Sequence, residues 1–172
     1  MMIRTENKGD IESVHQLLLR AFGGQQEIIL MERLRKDPEI DPELSIVAED
    51  DGIVIGHIMF SPATLDDGGT MHKVAALGPL AVLPEYQRRG VGRQLIAEGK
   101  KRCGAHGYPL VFLFGHKDYY PRFGFVQARA HGFEIRQFTV PDEVFMVAEL
   151  QRGALESMQG EFRFHSAFEG LG

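Results

Sequence analysis

Cysteine is almost missing from this chain. Cys103 stands alone, so no internal disulfide can form, and a reducing compartment is expected. Long apolar runs are missing too. None approaches the roughly 20 residues that a membrane helix needs. The start, Met1-Met2-Ile3-Arg4-Thr5-Glu6-Asn7, turns polar without an apolar signal core. No repeat, low-complexity stretch or long linker divides the chain. Basic charge is not in excess: 19 Lys and Arg against 24 Asp and Glu leave a net charge of −5. That excludes a general polyanion-binding face and confines any phosphate site to a local patch. The seven histidines lack ligand spacing with cysteine or carboxylate partners, so no metal is expected. A soluble cytoplasmic protein without nucleic-acid or membrane partners fits these absences, and a homodimer is compatible with them.

What is present is ordinary for a globular chain: 172 residues, 44% apolar and 25% charged. This is enough for one domain with a core of its own. Residues 3–5 read as a short strand. Asp10 is a favourable helix N-cap, and Glu12 suits the first turn. Ile11, Val14, Leu17, Leu18 and Phe22 follow helical spacing until Gly23-Gly24. A second helix is expected over 26–36, with Ile29, Leu30 and Leu34 apolar, broken by Asp37-Pro38 and Asp41-Pro42. Runs 44–48 and 53–60 are strands joined through the tight-turn pair Asp51-Gly52. Asp66-Asp67-Gly68-Gly69 turns the chain again before the apolar run 74–82. A helix over 90–102 carries Val91, Leu95 and Ile96 on one face, and 110–114 has the wholly apolar character of a strand buried on both faces. Residues 144–150 are a further strand; 151–172 carry no clear signal. Strands around helices in this order make an α/β class.

The informative unit is the strand 74–82, then Leu83-Pro84-Glu85-Tyr86, then Gln87-Arg88-Arg89-Gly90-Val91-Gly92-Arg93, then a helix. A helix start leaves unpaired N–H groups and carries about half a positive charge. It is therefore an anion site. Gly90 and Gly92 let a diphosphate approach the backbone, and Arg88, Arg89 and Arg93 add fixed charge. A dinucleotide fingerprint would need a small residue where Leu95 stands, and a P-loop would need a Gly-Lys-Ser/Thr ending. Neither is met.

The segment 80–93 resembles the acetyl-CoA-binding motif of the GCN5-related N-acetyltransferases (GNAT), Gln/Arg-x-x-Gly-x-Gly/Ala after a strand. Tyr120-Pro121-Arg122-Phe123-Gly124-Phe125 resembles that family's second motif, Tyr-x-x-x-Gly-Phe. The chain also resembles the bacterial YhbS-like subgroup of that family. The resemblance implies a single domain over 1–172, with its core over about 1–150. It also implies a mixed, mostly antiparallel, splayed β-sheet flanked by α-helices. The implied activity is acetyl transfer from acetyl-CoA to a primary amine, small-molecule or peptide, by direct attack and without metal. Main-chain groups of Leu80, Ala81 and Val82 would hold the pantetheine arm. The amides of Arg88, Arg89, Gly90, Val91, Gly92 and Arg93 would hold the pyrophosphate. Tyr120 matches the family's proton donor to the CoA sulfur, with Tyr119 as competitor. The family often has an Asn near the start of the second motif; here no Asn follows Asn7.

Independent support lies in Gly78-Pro79. Proline cannot donate to a sheet ladder, so the strand either bulges there or is locally unpaired. A lysine-like amine is neutral in only about one molecule in several thousand at pH 7, which makes a base useful. His116 and Asp118 follow the buried strand, Glu85 lies on the loop, and Glu27 lies on the helix that borders the acceptor in the resembling family; no one of them is singled out. Cys103 is expected to be a packing residue, the Phe residues 112, 114, 123, 125 and 133 core, and Lys100-Lys101-Arg102 a cationic helix end. The alternative function is a non-catalytic acyl-CoA sensor or interaction module.

Overall fold

The computed structural model describes residues 1–171. Strand β1 (Met2–Thr5) leads into helices α1 (Ile11–Phe22) and α2 (Gln26–Arg35), followed by β2 (Ser45–Asp50), β3 (Ile53–Asp67) and β4 (Thr70–Val82). Helix α3 (Val91–Ala105) then crosses to β5 (Leu110–Phe114). β6 (Val126–Gln127), β7 (Phe133–Ile135), β8 (Phe145–Glu149), a short α4 (Ala154–Ser157) and β9 (Gly160–Arg163) complete the order. The main path of the sheet is β1-β2-β3-β4-β5-β8-β6, and β9 pairs with both β3 and β7. Among the described residues β4–β5 and β7–β9 are parallel and the other pairs antiparallel. This is the mixed, mostly antiparallel α/β sheet that the sequence implied.

Local chemistry explains the turns. Asp51 and Gly52 both take left-handed backbone, φ 49° and 77°, the geometry that closes a two-residue hairpin with the twist of its strands. On β3, Gly56 and Phe60 face α3. A side chain at Gly56 would meet Val91 and Leu95, and one at Gly99 would run into the Phe60 ring. Two glycines, one on each element, thus let the helix lie close on the sheet. A second apolar cluster gathers around Phe112, whose ring stacks on Phe162 at 4.3 Å and meets Phe133 edge-on at 5.1 Å.

The structure corrects three expectations. Asp10 precedes α1 but does not cap it; it closes the capping box of the short turn Lys8–Asp10 before the helix. Its carboxylate receives Arg4 Nη1 at 2.7 Å and the Asn7 N–H at 2.8 Å, because a guanidinium outcompetes helix amides for it. On α2 the buried residues are Ile28, Leu30, Met31 and Leu34, while Ile29 is exposed. The core does not end near 150 either. Phe162, Phe164 and Ala167 are buried, and Phe162 sits opposite Leu65 of β3 and Ile135 of β7. The last residue of the expected domain, Gly172, lies outside the described residues.

Beneath α1 and α2 lies a buried polar chain. His57 is fully buried, and its Nε2 donates to Ser45 Oγ at 2.9 Å. The Ser45 hydroxyl has one proton, which it gives to Glu6 at 3.2 Å, and Glu6 also receives Arg35 Nη2 at 2.8 Å. Nδ1 is left without a partner, so a second proton there would be a buried, unpaired charge, and the ring is neutral. Burial, helped by Arg35, pushes its pKa down to about 3.

Two outcomes follow. His57 binds a proton more weakly folded than unfolded, where its pKa is about 6.5. Its contribution is complete above that value and is lost as pH falls toward about 3. His57→Gln should flatten the acid limb of a urea-measured stability profile between those values; an unchanged slope would exclude His57 as its source. Gly99→Ala should lower unfolding free energy by about 1–3 kcal/mol through overpacking, outweighing the ~1 kcal/mol that alanine brings to a helix. A raised melting temperature would contradict the close approach.

Candidate active site

The site begins where β4 leaves β5. The two strands pair only at Ala75–Val111 and Ala76–Phe112. Beyond that point β4 keeps β3 on one side, with Leu80, Ala81 and Val82 opposite Ile58, His57 and Gly56. Among the described residues its other edge has no strand partner there. The register with β3 shifts between Ile58 and Phe60, which places Gly78 and Pro79 in a bulge. Bulge and open edge therefore occur together: a residue without an N–H ends the pairing, and a bulge bends the strand away.

The chain then turns through Pro84–Tyr86 into α3. Leu83 N–H donates to Ile55 O at 2.8 Å, and Gln87 Nε2 to Val82 O at 3.1 Å, which fixes the loop to the strand end. Arg88 has φ 63° and Gly90 φ 82°. Left-handed backbone costs a side-chain-bearing residue about 1–2 kcal/mol, and alternation of this kind turns amides inward as an anion nest. No side chain caps α3, and no acid stands in its first turn. The amides of Val91, Gly92 and Arg93 are thus free for a ligand. Arg89 lies over the Tyr86 ring at 5.4 Å. An uncapped helix start, backbone without Cβ atoms and three arginines fit a diphosphate. An open strand edge with alternating N–H and C=O groups fits the amide arm of pantetheine.

The second motif closes over this turn. Lys100 of α3 donates to Phe123 O at 2.8 Å, and burial lowers its pKa. The Tyr119 hydroxyl lies where a side chain on Gly92 would stand, and the Tyr120 ring lies where one on Gly115 would stand. The two rings meet edge-on at 5.0 Å, and Tyr120 also meets Phe125 at 5.8 Å. Burial raises both phenol pKa values, that of Tyr120 further. Both tyrosines therefore stay protonated near neutrality.

The base candidates fare differently. Glu85 is paired with Arg20 of α1, which holds its carboxyl below the usual range. It serves to fasten the loop. Glu27 is half-buried on the first turn of α2. His116 and Asp118 are each 73% exposed and 3.9 Å apart. They stand in solvent at the rim, because the chain leaves the sheet at Gly115. Cys103 is buried, and its thiol is pushed up to about 12 by burial, so it packs and does not react. Phe112, Phe125 and Phe133 are core, whereas Phe114 and Phe123 are half-buried beside the site.

Among the described residues one trio has the spacing of a metal site: Asp41, Glu43 and His106. Sequence spacing could not reveal it, since helix α3 brings its end to residues distant in the chain. Both ring nitrogens of His106 already face acceptors, Arg102 O at 2.8 Å and Asp41 at 2.5 Å. The Arg102 carbonyl first, then Asp41, raises its pKa. The trio is an imidazolium ion pair at the helix end, not a ligand set.

A split sheet with an anion-holding turn at the end of its open strand defines an acyl-CoA-dependent acyltransferase. Residues 2–128 match the acetyltransferase (GNAT) domain family model. The chain is 35% identical to the uncharacterized N-acetyltransferase YhbS of Escherichia coli, over 98% of each chain. It is 37% identical to the uncharacterized N-acetyltransferase YjhQ of the same species, over 80% of this chain and 76% of that one. The crystal structure of the YhbS protein in complex with CoA superposes with a TM-score of 0.90, 34% identity, and 99% and 93% of the two chains covered. A GNAT acetyltransferase of Brucella melitensis in complex with acetyl-CoA gives 0.78, 31% identity, and 98% and 97%. The chain belongs to the GCN5-related N-acetyltransferase family, in its YhbS-like subgroup.

Gly92→Asp tests the turn. It puts a side chain where the Tyr119 hydroxyl now stands and a negative charge beside the amides that a diphosphate would use, and it displaces only the far end of Tyr119. An acid near a helix start is itself compatible with the dipole, so the fold should survive. Acetyl-CoA affinity should fall about tenfold or more, ~1.4 kcal/mol, by calorimetry. Unchanged affinity in folded protein would remove the turn from the site.

Proposed function

We propose that this chain moves the acetyl group of acetyl-CoA directly to a primary amine, with Tyr120 giving a proton to the departing sulfur. The carrying observation is the continuous line from the open edge of β4, through the bulge at Gly78-Pro79, to the uncapped start of α3. Leu80, Ala81 and Val82 would offer main-chain groups to the pantetheine arm. The amides from Arg88 to Arg93 would take the pyrophosphate. Such an arrangement holds the thioester in one pose and replaces lost translational freedom by binding.

The amine must lose its proton before attack, and an amine with pKa near 10.4 rarely does so alone at pH 7. His116 and Asp118 are the candidates at the rim, and either would reach the reacting centre through a water chain. The arginine-paired Glu85 is a poorer base, since its proton affinity is lowered. On the leaving side, a phenol kept protonated by burial can donate as charge grows on sulfur. Tyr120 holds the family's motif position; Tyr119 is its neighbour, with its hydroxyl over Gly92.

Tyr120→Phe keeps the ring packed against Gly115 and removes the proton. Turnover should fall by about 10²- to 10⁴-fold, with acetyl-CoA affinity nearly unchanged. Steady release of CoA in the presence of an amine panel is the readout. Normal turnover in Tyr120→Phe and loss in Tyr119→Phe would transfer the role to the neighbour. Acetyl-CoA binding without release to any amine would favour the sensor function.

A further inference from the structure

The last described residues form a strap that neither the cofactor turn nor the tyrosines use. His165 Nε2 pairs with Asp37 at 2.6 Å. Arg33 of α2 donates to Ala167 O at 3.1 Å and to Glu169 O at 2.7 Å. On the other side, Phe164 N–H donates to Gln137 Oε1 at 2.8 Å, and Gln137 Nε2 returns a bond to Phe164 O at 3.3 Å. Residues 164–169 are thereby held between α2 and the segment after β7.

This strap sets Phe168 against the bulge of β4. Its ring lies 3.7 Å from where a Cβ on Gly78 would stand. It packs against both apolar clusters and yet is only half-buried. Phe164 lies beneath it, 5% exposed, with ring centroids 4.6 Å apart and planes tilted by 30°. Phe164 also meets Phe114 at 4.9 Å and Phe138 at 5.9 Å. Phe114 and Phe138 are half-buried as well. Three part-open rings thus surround a buried one, at the C-terminal end of β5 and beside the gap between β4 and β5. The patch is continuous with the open strand edge through the Phe168–Gly78 contact.

From this geometry we infer that Phe168, with Phe114 and Phe138, is the specificity wall for the acceptor, and that the acceptor is a primary amine carried on a flat apolar or aromatic body. The inference rests on the acetyl-transfer reading for where the amine must point. The nitrogen reaches toward the bulge, where β4 is unpaired, and the body lies along the rings. Aromatic rings meet such a body by offset or edge contact and exclude water from it. A polar amine of the same length gains nothing there. The wall is rigid because the strap is tied at both ends, so selectivity does not await closure of a loop.

The test is binding to the CoA-loaded protein, with phenethylamine and ethanolamine as probes, measured by calorimetry and ligand-observed NMR. Wild type should bind phenethylamine at least about tenfold more tightly than ethanolamine. Phe168→Ala should remove about tenfold of the phenethylamine affinity and leave CoA affinity and ethanolamine binding where they were. Phe168→Leu keeps an apolar contact on Gly78 and should lose most of the same preference, which guards against a folding defect in the smaller variant. Equal binding of the two amines by wild type, or an unchanged preference in folded Phe168→Leu, overturns the wall. Because CoA replaces acetyl-CoA, the result does not depend on turnover. Tight phenethylamine binding without acetylation would uphold the wall and sink direct transfer.

Discussion

The parting of β4 from β5 after Ala76 is the constraint on which the molecule depends. Two parallel strands that stay paired have no backbone to offer a ligand. Here a bulge containing Pro79 ends the ladder, and the unpaired edge of Leu80, Ala81 and Val82 is left at the surface of a cleft. An unpaired edge is normally a liability in a sheet. Under the proposed function it has a use, since an amide-bearing arm would satisfy it. The same parting sends β4 into the turn that starts α3, so the open edge and the free helix amides lie in one line.

Close packing then keeps that line in place. Gly56 and Gly99 allow α3 to lie against β3, and Lys100 ties α3 to the second motif. Arg20 and Glu85 fasten the loop to α1. The strap from Phe164 to Glu169 leans on α2 through Arg33 and Asp37. The helix, the loop and the strap beside the cleft are thus each joined to another element by a charge-assisted bond or a glycine contact. Charge is distributed in the same spirit: the chain is acidic overall, with a net charge of −5, but Arg88, Arg89 and Arg93 cluster beside uncapped amides. That local field matters within about 10 Å at ordinary salt.

Much of the architecture was legible because its signals are local. Apolar runs and tight turns showed β2, β3 and β4, and helical spacing showed α1 and α3. The turn before α3 was legible for the same reason, as its glycines, arginines and helix start are adjacent in the chain. β6, β7 and β9 were not legible, being two, three and four residues long. β9 becomes a strand because β3 and β7 flank it, and nothing within Gly160–Arg163 announces those partners. Asp10 was misread because its partner, Arg4, competes from a neighbouring strand. On α2, burial of Ile28 and Met31 in place of Ile29 reflects which way the helix is rolled on the sheet, and the tertiary contacts determine that roll.

The sequence by itself determined the α/β class, the helix start with its two glycines, and the tyrosine pair of the second motif, since each depends on residues close in the chain. Tertiary structure alone decided that Pro79 both bulges and opens the strand and that Glu85 is held by Arg20. It also decided that His116 and Asp118 face solvent and that Phe168 reaches Gly78. These facts depend on which distant segments meet. Burial and pairing are properties of the packed chain, and an aromatic ring or a carboxylate carries no mark in sequence of the neighbour that will cover it.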